Sequence, residues 1–487
     1  MQFNSIEFLV FFPVVSIAFF IIPHKYRWLL LLGASYLFYM SWRPKYILVL
    51  LAVTGISYLA GLWLGRDNNP ATRRIALSIS LIASLGILFF FKYFNFSDPA
   101  FQGVFDRLGV SQWVPENILL PLGISFFTFQ TMSYTIDVYR GMIKPEKHAG
   151  IYALFVSFFP QLVAGPIGRA NLLLPQYHET HVPDYEKIVS GLQRMVWGLF
   201  KKLVIADRLA LLVDTVYGDP TAYTGMALIL ATYAFAFQIY CDFSGYADIA
   251  IGAARVMGFQ LTENFQQPYY AQSIPDFWRR WHISLYNWLR DYIFYPIYRA
   301  LIRRQSSSRN LLTLIIPPMV TMLASGLWHG ENWTFIIWGA LHGIFMVISV
   351  FWSQAKRSIN WSFALPSALT TGLKIFAIFN LVSFAWIFFR ANSFSDAIYI
   401  IGHLFVNLEM QSSLFDLLPG GAYDWMIAIL AILFMETVHI MQRKRGSLRQ
   451  AVRIQPVWLR WSIYFGLVMV IFLFGKFGST EFIYSRF

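Results

Sequence analysis

Long runs of apolar residues recur along the chain at lengths that suit membrane-spanning helices. A helix crosses the hydrocarbon layer in about 20 residues, and its backbone amides must pair within the segment. The pattern predicts an all-α, polytopic transmembrane protein with roughly eleven spans. The runs lie near residues 5–22, 27–42, 46–65, 75–93, 149–164, 221–240, 310–327, 333–353, 368–389, 422–441 and 458–475. Met1 to Ile22 lacks the basic start and cleavage site of a signal peptide, so we expect a retained first span.

Residues 165–305 have a different pattern, in which helical lengths are interrupted by charges. Charges at bilayer depth are costly unless they face a cavity or a partner. We therefore expect short, partly re-entrant helices that form a central core inside a ring of spans. No repeat or linker divides the chain, which favours a single domain over 1–487. The proline-containing stretches 94–121 and 172–186 are predicted to be surface loops. The charged residues are Lys201, Lys202, Asp207, Arg208, Asp276, Arg279, Arg280, Arg290 and Asp291.

The amino-acid composition indicates a protein that is embedded in a lipid bilayer. Hydrophobic residues make up 57% and charged residues 13% of the sequence, with a mean hydropathy of +0.53, which excludes an ordinary water-soluble protein of this size. The formal charge of +13 does not indicate nucleic-acid binding, because the basic residues cluster beside apolar runs, as membrane topology requires. The single cysteine, Cys241, excludes an internal disulfide and a multi-cysteine metal cluster.

The distribution of basic residues predicts which loops face the cytoplasm. Three connections are rich in Lys and Arg, and the positive-inside bias places all three in the cytoplasm. One further span near 458–475 then leaves the C-terminus extracytoplasmic. The same count makes 310–353 a hairpin with Trp328, His329 and Gly330 near its bend. The basic clusters are Arg303, Arg304 and Arg309; Lys356 and Arg357; and Arg443, Lys444, Arg445, Arg449 and Arg453.

Histidines are the candidates for chemistry, because the sequence contains no nucleotide-binding, metalloprotease or serine-hydrolase motif. His282, His329 and His342 lie in or beside apolar segments. A neutral imidazole can accept a proton near physiological pH, so His329 is the candidate general base. The alternative for His329 is a structural histidine that hydrogen-bonds two helices. For His342 the structural interpretation is favoured.

Three further features have structural and functional interpretations. Cys241 could be a nucleophile, but no His or Lys adjoins it in sequence to lower its pKa, which favours a small buried hydrophobic residue. Asp242 and Asp248 are expected to hold charged partners, and their spacing does not require them to act together. Gly165 and Pro166 either end a helix at depth, where freed backbone groups line a cavity, or end it in a simple loop.

Several motifs, in order along the whole chain, resemble the membrane-bound O-acyltransferase (MBOAT) family, and within it the alginate O-acetylation branch. They are Leu120 to Gln130 (LPLGISFFTFQ), Pro160 to Ile167 (PQLVAGPI), Gln238 to Gly245 (QIYCDFSG), Ser273 to Leu285 (SIPDFWRRWHISL) with Trp288 to Tyr292 (WLRDY), and Gly326 to Gly330 (GLWHG) with Asn332 to Thr334 (NWT).

This resemblance implies roles for individual residues. His329 matches the family's intramembrane catalytic histidine, and His282 matches its second conserved polar position. Residues Phe482 to Phe487 (FIYSRF) resemble a C-terminal Phe-x-Tyr-x-x-Phe motif of bacterial relatives, which makes Tyr484 a candidate acyl acceptor. An aromatic tail that simply anchors at the membrane interface is the alternative.

The function that the resemblance implies is O-acetylation of an extracytoplasmic polysaccharide, alginate-like or another cell-surface glycan. A cytoplasmic thioester, acetyl-CoA, would be the donor substrate, and we expect no metal and no tightly bound cofactor. An extracytoplasmic acetyltransferase partner would pass the acetyl group on from a bacterial inner-membrane enzyme. Glu331 and the segment Tyr295 to Leu301 differ from the branch's usual pattern, which leaves the acceptor open. The alternatives are D-alanyl transfer to teichoic acid, peptidoglycan O-acetylation, and a membrane transporter.

Overall fold

The computed structural model describes residues 1–93, 120–163, 165–304, 311–358, 366–408, 412–446, 448–478 and 482–483. These residues are mainly helical and contain no strand, which confirms the all-α prediction. Within these described ranges, eight helices are long and apolar enough to cross a membrane. The predicted number of eleven spans stays a prediction, because several predicted runs correspond to shorter helices. The eight candidate spans are Pro44–Arg66, Pro70–Lys92, Met226–Val256, Leu311–His329, Trp333–Ala355, Ser367–Arg390, Gly421–Lys444 and Val457–Phe474.

The chain forms two compact units, and whether they act as the single predicted domain stays a prediction. The first unit comprises 1–188 and 253–262, and the second comprises 189–252 and 263–487. The helices of the first unit, before its boundary at 188, are Ile6–Ile21, His24–Met40, Ile47–Arg66, Pro70–Tyr93, Ile124–Tyr139, Ala149–Ser157, Phe159–Leu162 and Ala170–His178.

Two predictions in the first unit need correction. The apolar run 149–164 is not one span, because the helix breaks at Phe158 and a short helix with Pro160 in its first turn follows. Pro lacks the N–H of a helix interior and is tolerated at a helix start, so the chain restarts there. The predicted loop 172–186 is also wrong in its first part, because 170–178 is helical and buries Leu173 and Tyr177. The other predicted loop, 94–121, lies almost entirely outside the described residues.

The second unit contains the short helices that the interrupted charge pattern predicted. Two π-helices lie among them, Phe200–Ala206 and Arg290–Phe294. The short α-helices include Ile274–Trp278, Ile283–Leu289 and Tyr295–Arg304. The other helices assigned wholly or mainly to this unit are Tyr185–Leu199, Asp207–Gly218, Met226–Val256, Leu311–His329, Trp333–Ser358, Ser367–Arg390, Phe394–His403, Gly421–Arg445, Leu448–Arg453 and Val457–Phe474.

One helix of the second unit is much longer than its apolar run. The run at 221–240 continues as a helix of 31 residues, Met226–Val256, which we call the long helix. At about 1.5 Å per residue it exceeds the thickness of the hydrocarbon layer. Its continuation holds the polar residues Asp242, Ser244 and Asp248, and the first two are almost fully buried. Such side chains need partners inside the protein.

The predicted hairpin at 310–353 is confirmed. The helix Leu311–His329, which we call the histidine helix, ends at His329, and the return helix begins at Trp333. The two helices touch through glycines. A Cβ on Gly326 would lie 2.4 Å from the Phe335 carbonyl oxygen, and one on Gly339 would lie 2.5 Å from the Met322 carbonyl oxygen. No larger residue fits at this crossing without moving the backbone, as is common where membrane helices pack closely.

Candidate active site

The bend of the hairpin fixes the position of His329. Asn332 accepts a hydrogen bond from the Thr334 N–H through its side chain, at 3.2 Å, and one from the Phe335 N–H through its carbonyl oxygen, at 3.0 Å. These bonds satisfy donors at the start of the return helix, which have no partner within the helix itself. Together with the Gly326–Gly339 crossing, they hold the last turn of the histidine helix in place.

His329 is almost fully buried among aromatic rings. Its imidazole lies 4.8 Å from the indole of Trp328, 5.0 Å from that of Trp338 and 5.1 Å from the ring of Phe389, measured between ring centroids. Its side chain is in the last turn of the histidine helix, where the backbone carbonyls stabilise positive charge. The surroundings therefore exclude water and provide a partial negative potential for an imidazole that takes up a proton.

His282 is held in an unusual backbone conformation. Its φ of 43° and ψ of 54° lie in the left-handed region, which non-glycine residues rarely adopt. A hydrogen-bond cluster on the Asn264 side-chain oxygen stabilises this turn. That oxygen accepts from the Ser284 N–H at 3.1 Å and the Ser284 hydroxyl at 2.9 Å, and it lies 3.2 Å from Nδ1 of His282.

The cluster also determines how His282 can act. The Ser284 N–H can only donate, so the shared Asn264 atom is oxygen and His282 Nδ1 carries the proton. Burial lowers the pKa of His282 to about 3. The ring is therefore neutral at physiological pH, and its Nε2 is a hydrogen-bond acceptor. This geometry does not fit the role of a donor that polarises a carbonyl.

The two predicted site histidines share one aromatic neighbour. The ring of Trp328 lies 5.9 Å from that of His282 and 4.8 Å from that of His329. His282 and Trp328 are 46 residues apart in the sequence, so two distant segments meet at one indole. The structure brings together the pair that the sequence selected.

His342 and Cys241 have the environments expected of structural residues. The Trp278 indole donates to Nδ1 of His342 at 3.3 Å, and the His342 ring packs between Trp278 and Trp338 at 5.1 and 4.9 Å. Cys241 is fully buried, with its Sγ 3.5 Å from Sδ of Met435. Neither residue has the access to solvent that an acyl-accepting nucleophile needs.

Buried lysines form ion pairs with the two aspartates of the long helix. The sequence alone did not predict these pairs. Lys201 Nζ lies 2.6 Å from Asp248, and Lys202 Nζ lies 2.7 Å from Asp242 and 2.8 Å from Asp207. Burial opposes the charged form, but Asp242 and Asp207 raise the pKa of Lys202 above its ordinary value. As expected, the two aspartates of the long helix hold separate partners. The adjacent lysines were the available signal, because an apolar segment rarely holds two charges unless both are paired.

A comparison with known protein families identifies the family of this chain. The model of the membrane-bound O-acyltransferase family matches residues 147–390, a segment that contains both His282 and His329. The chain belongs to the MBOAT family. It is therefore a membrane O-acyltransferase, and an acyl donor is one of its substrates.

Individual MBOAT relatives match most of the chain. A probable alginate O-acetylase of Azotobacter vinelandii is 41% identical over 402 residues, which are 82% of this chain and 76% of that protein. A peptidoglycan O-acetyltransferase of Helicobacter pylori is 34% identical, over 82% of this chain and 79% of that protein. A teichoic acid D-alanyltransferase of Streptococcus thermophilus is 28% identical, over 56% of this chain and 69% of that protein.

The predicted acyl acceptor of this MBOAT chain, Tyr484, lies outside the described residues. The two residues before it, Phe482 and Ile483, are described, and both are buried. Among the described segments, no three His, Cys, Asp or Glu side chains come together as a metal site.

Proposed function

We propose that this MBOAT enzyme transfers acetyl groups from acetyl-CoA for the O-acetylation of an extracytoplasmic polysaccharide. The observation that carries the proposal is the pair of histidines on Trp328 inside the family segment. Acetyl is favoured over D-alanyl because the acetylase relative is 41% identical over 82% of the chain, against 28% over 56% for the D-alanyltransferase. Peptidoglycan is the second candidate acceptor, supported by the 34% identical relative from Helicobacter pylori.

In the proposed reaction, His329 is the general base. An acceptor hydroxyl attacks the thioester carbonyl, and His329 takes the hydroxyl proton as the new C–O bond forms. The C–S bond then breaks, and the proton passes from the imidazolium to the leaving thiolate. Acceptor ester and free thiol are the products, and the histidine returns to its neutral form. The end of the histidine helix stabilises the imidazolium while it exists.

His282 orients the acceptor in this scheme. Its Nδ1 proton is committed to Asn264, so Nε2 can accept a hydrogen bond from an N–H or O–H group of the acceptor other than the attacking hydroxyl, whose single proton goes to His329. The Asn264 cluster keeps the ring from rotating, which preserves that direction. His282 is thus proposed as a positioning acceptor and not as a donor that polarises the thioester carbonyl.

The donor for the developing oxyanion is the indole N–H of Trp338. Trp338 is fully buried with its ring 5.0 Å from that of His329, and its Nε1 has no hydrogen-bond partner among the residues that the structure describes. A buried donor without a partner is costly, and donors aimed at a reacting oxygen are a common reason for one. Trp338 therefore donates the hydrogen bond to the oxyanion that His282, whose Nε2 is an acceptor, cannot donate.

Replacing Trp338 with phenylalanine is expected to lower kcat about a hundredfold, as removal of one oxyanion donor does elsewhere. KM for the donor should change little, because the oxyanion forms only in the transition state. Trp386→Phe is the matched control, since Trp386 stacks on Trp338 at 5.7 Å and its Nε1 is also unpartnered within the described segments. Equal losses of kcat in both variants would refute the specific role of Trp338.

The acetyl group is proposed to reach the outer surface through Tyr484. In this scheme Tyr484 is the first acceptor, the C-terminus is extracytoplasmic in a bacterial inner membrane, and an extracytoplasmic acetyltransferase partner moves the group to the polysaccharide. The support is the resemblance of the FIYSRF ending to a tyrosine-containing motif, together with the basic clusters that predict the topology.

The donor can be tested with purified protein in vesicles. Acetyl-CoA labelled in its acetyl group is expected to label the protein. Acetyl-CoA labelled in its nucleotide instead is expected to leave the protein unlabelled. D-alanyl carrier protein is the matched alternative donor and should give none. Label from the carrier alone would replace acetyl transfer with D-alanyl transfer, and solute uptake without any acyl label would indicate a transporter.

A further inference from the structure

The segment at the end of the helix Val457–Phe474 is bound to a buried charged cluster in the second unit. Arg208 donates to the carbonyl oxygen of Phe474, the last residue of the final helix, at 2.5 Å. Arg208 also pairs with Asp424, and Lys476 reaches the same carboxylate at 3.2 Å. Two cations and one carboxylate therefore fix the point where the C-terminal segment leaves its helix.

The next contact is with the π-helix Phe200–Ala206, which we call the lysine π-helix because it contains Lys201 and Lys202. The backbone N–H of Lys476 donates to the Leu203 carbonyl oxygen at 2.9 Å. π-helices are rare, and they occur frequently at functional sites. Here the altered helix presents a carbonyl to another segment of the chain.

A third contact holds the residues directly before Tyr484. The Ile483 N–H donates to Oδ2 of Asp242 at 2.7 Å, while Oδ1 of the same carboxylate binds Lys202 at 2.7 Å. The ring of Phe482 packs on Tyr246 at 4.3 Å and on Phe243 at 5.7 Å. The C-terminal segment is thus recognised through its backbone and through one aromatic side chain.

This contact leads to the candidate active site. Phe243 lies edge-on to His282, with ring centroids 4.7 Å apart at 90°. One phenylalanine therefore separates Phe482 from the histidine that is proposed to orient the acceptor. Tyr484 is the next residue in the sequence after Ile483.

Simple anchoring at the membrane interface does not explain these contacts. Interfacial anchoring needs aromatic side chains at the headgroup level, not a buried carboxylate that accepts from the tail backbone. Lys202 serves two carboxylates, Asp207 and Asp242, and all three groups are almost fully buried. Buried charges are costly, so their use for a backbone contact indicates a binding site.

We propose that Lys202, Leu203, Arg208, Asp242 and Asp424 form a tail cradle that binds the chain's own C-terminal segment and holds it beside His282. The binding itself is independent of the reaction. Its purpose, delivery of the acceptor tyrosine to the site, rests on the proposed function. Residues of the cradle are positioning residues, since they act on the tail and not on the reacting atoms.

The test measures how often the tail leaves the cradle. A cysteine replaces Ile483, which is only 7% exposed, and Cys241→Ala removes the native thiol. Asp242→Asn is then expected to raise the rate of maleimide modification about ten- to a hundredfold, the range of a charge-assisted hydrogen bond. Asparagine replaces one of the two carboxylate oxygens with an NH2 donor. Because Lys202 contacts Oδ1 and the residue 483 N–H contacts Oδ2, one of these two bonds is lost.

Asp248→Asn is the matched control. Asp248 lies in the same helix and also accepts from two cations, Arg194 at 2.8 Å and Lys201 at 2.6 Å, but neither belongs to the tail. Phe482→Ala is the second variant, and it changes the tail without touching the buried charges. Faster modification in Asp242→Asn and Phe482→Ala, but not in Asp248→Asn, supports the cradle.

The outcomes distinguish failure of the tail-cradle proposal from failure of the acetyl-transfer proposal. Modification at one rate in all the variants, or a rise that Asp248→Asn matches, overturns the cradle even if acetyl transfer depends on His329. If Asp242→Asn does not fold, an unchanged rate in Phe482→Ala overturns it. Conversely, failure of the acetylation scheme leaves the modification rates as they are and removes only the purpose assigned to the cradle.

Discussion

Replacing His329 with alanine is expected to reduce acetyl transfer about a thousandfold, within the range of general-base contributions. His329 is buried at the end of a helix, where the positive charge that it gains with the hydroxyl proton is stabilised. The measurement is the initial rate of label transfer from acetyl-CoA by protein in vesicles. The rate of acetyl-CoA binding should change little.

Two variants distinguish loss of a base from loss of fold. His329→Gln keeps a hydrogen-bonding side chain but cannot take up a proton, so it should be as inactive as His329→Ala. His403→Ala is the matched control, because His403 ends another helix and stacks on Tyr399 at 3.9 Å. Transfer that survives in His329→Gln would show that the histidine is a structural hydrogen-bonding residue.

Replacing Tyr484 with phenylalanine is expected to abolish the acetyl label on the C-terminal peptide. The substitution removes only the hydroxyl, and an aromatic tail that served as an anchor would remain functional. Mass spectrometry of the C-terminal peptide after reaction with labelled acetyl-CoA is the measurement. His329→Ala should lose the same label, since the tyrosine hydroxyl needs a base.

Tyr464→Phe serves as the control for the tyrosine prediction. Tyr464 lies on the final helix, Val457–Phe474, before the tail. Its substitution should leave the label unchanged. A C-terminal peptide that is still labelled in Tyr484→Phe would place the acyl group on another residue and reduce the tail to an anchor.

The hairpin and the position of His329 at its bend could be predicted because their signals are local. Two apolar runs separated by a few residues are typical of a helical hairpin, and Trp328, His329 and Gly330 mark the bend. The break at Phe158 was harder to predict, because a short helix with proline in its first turn is as apolar as a continuous span.

The long helix shows why the length of a helix is hard to predict when charged residues follow its apolar run. Asp242 and Asp248 made a span beyond residue 240 look too polar, and their partners Lys202 and Lys201 lie 40 and 47 residues earlier in the sequence. Pairing across such a distance neutralises the charges only after folding. The same limit applies to Asn264, whose side chain orients His282 although neither the sequence pattern nor local propensity indicates the contact.

The glycine contact at the crossing of the hairpin helices has a consequence for how the enzyme can diversify. Gly326 and Gly339 set the position of His329 through main-chain packing, independently of the aromatic side chains around its imidazole. Changes in the aromatic wall, such as at Trp328 or Phe389, can therefore alter the shape of the space around the imidazole without displacing it. If His329 is the base, as proposed, selection for a new acyl group or a new acceptor can act on the wall while the position of the base stays constant.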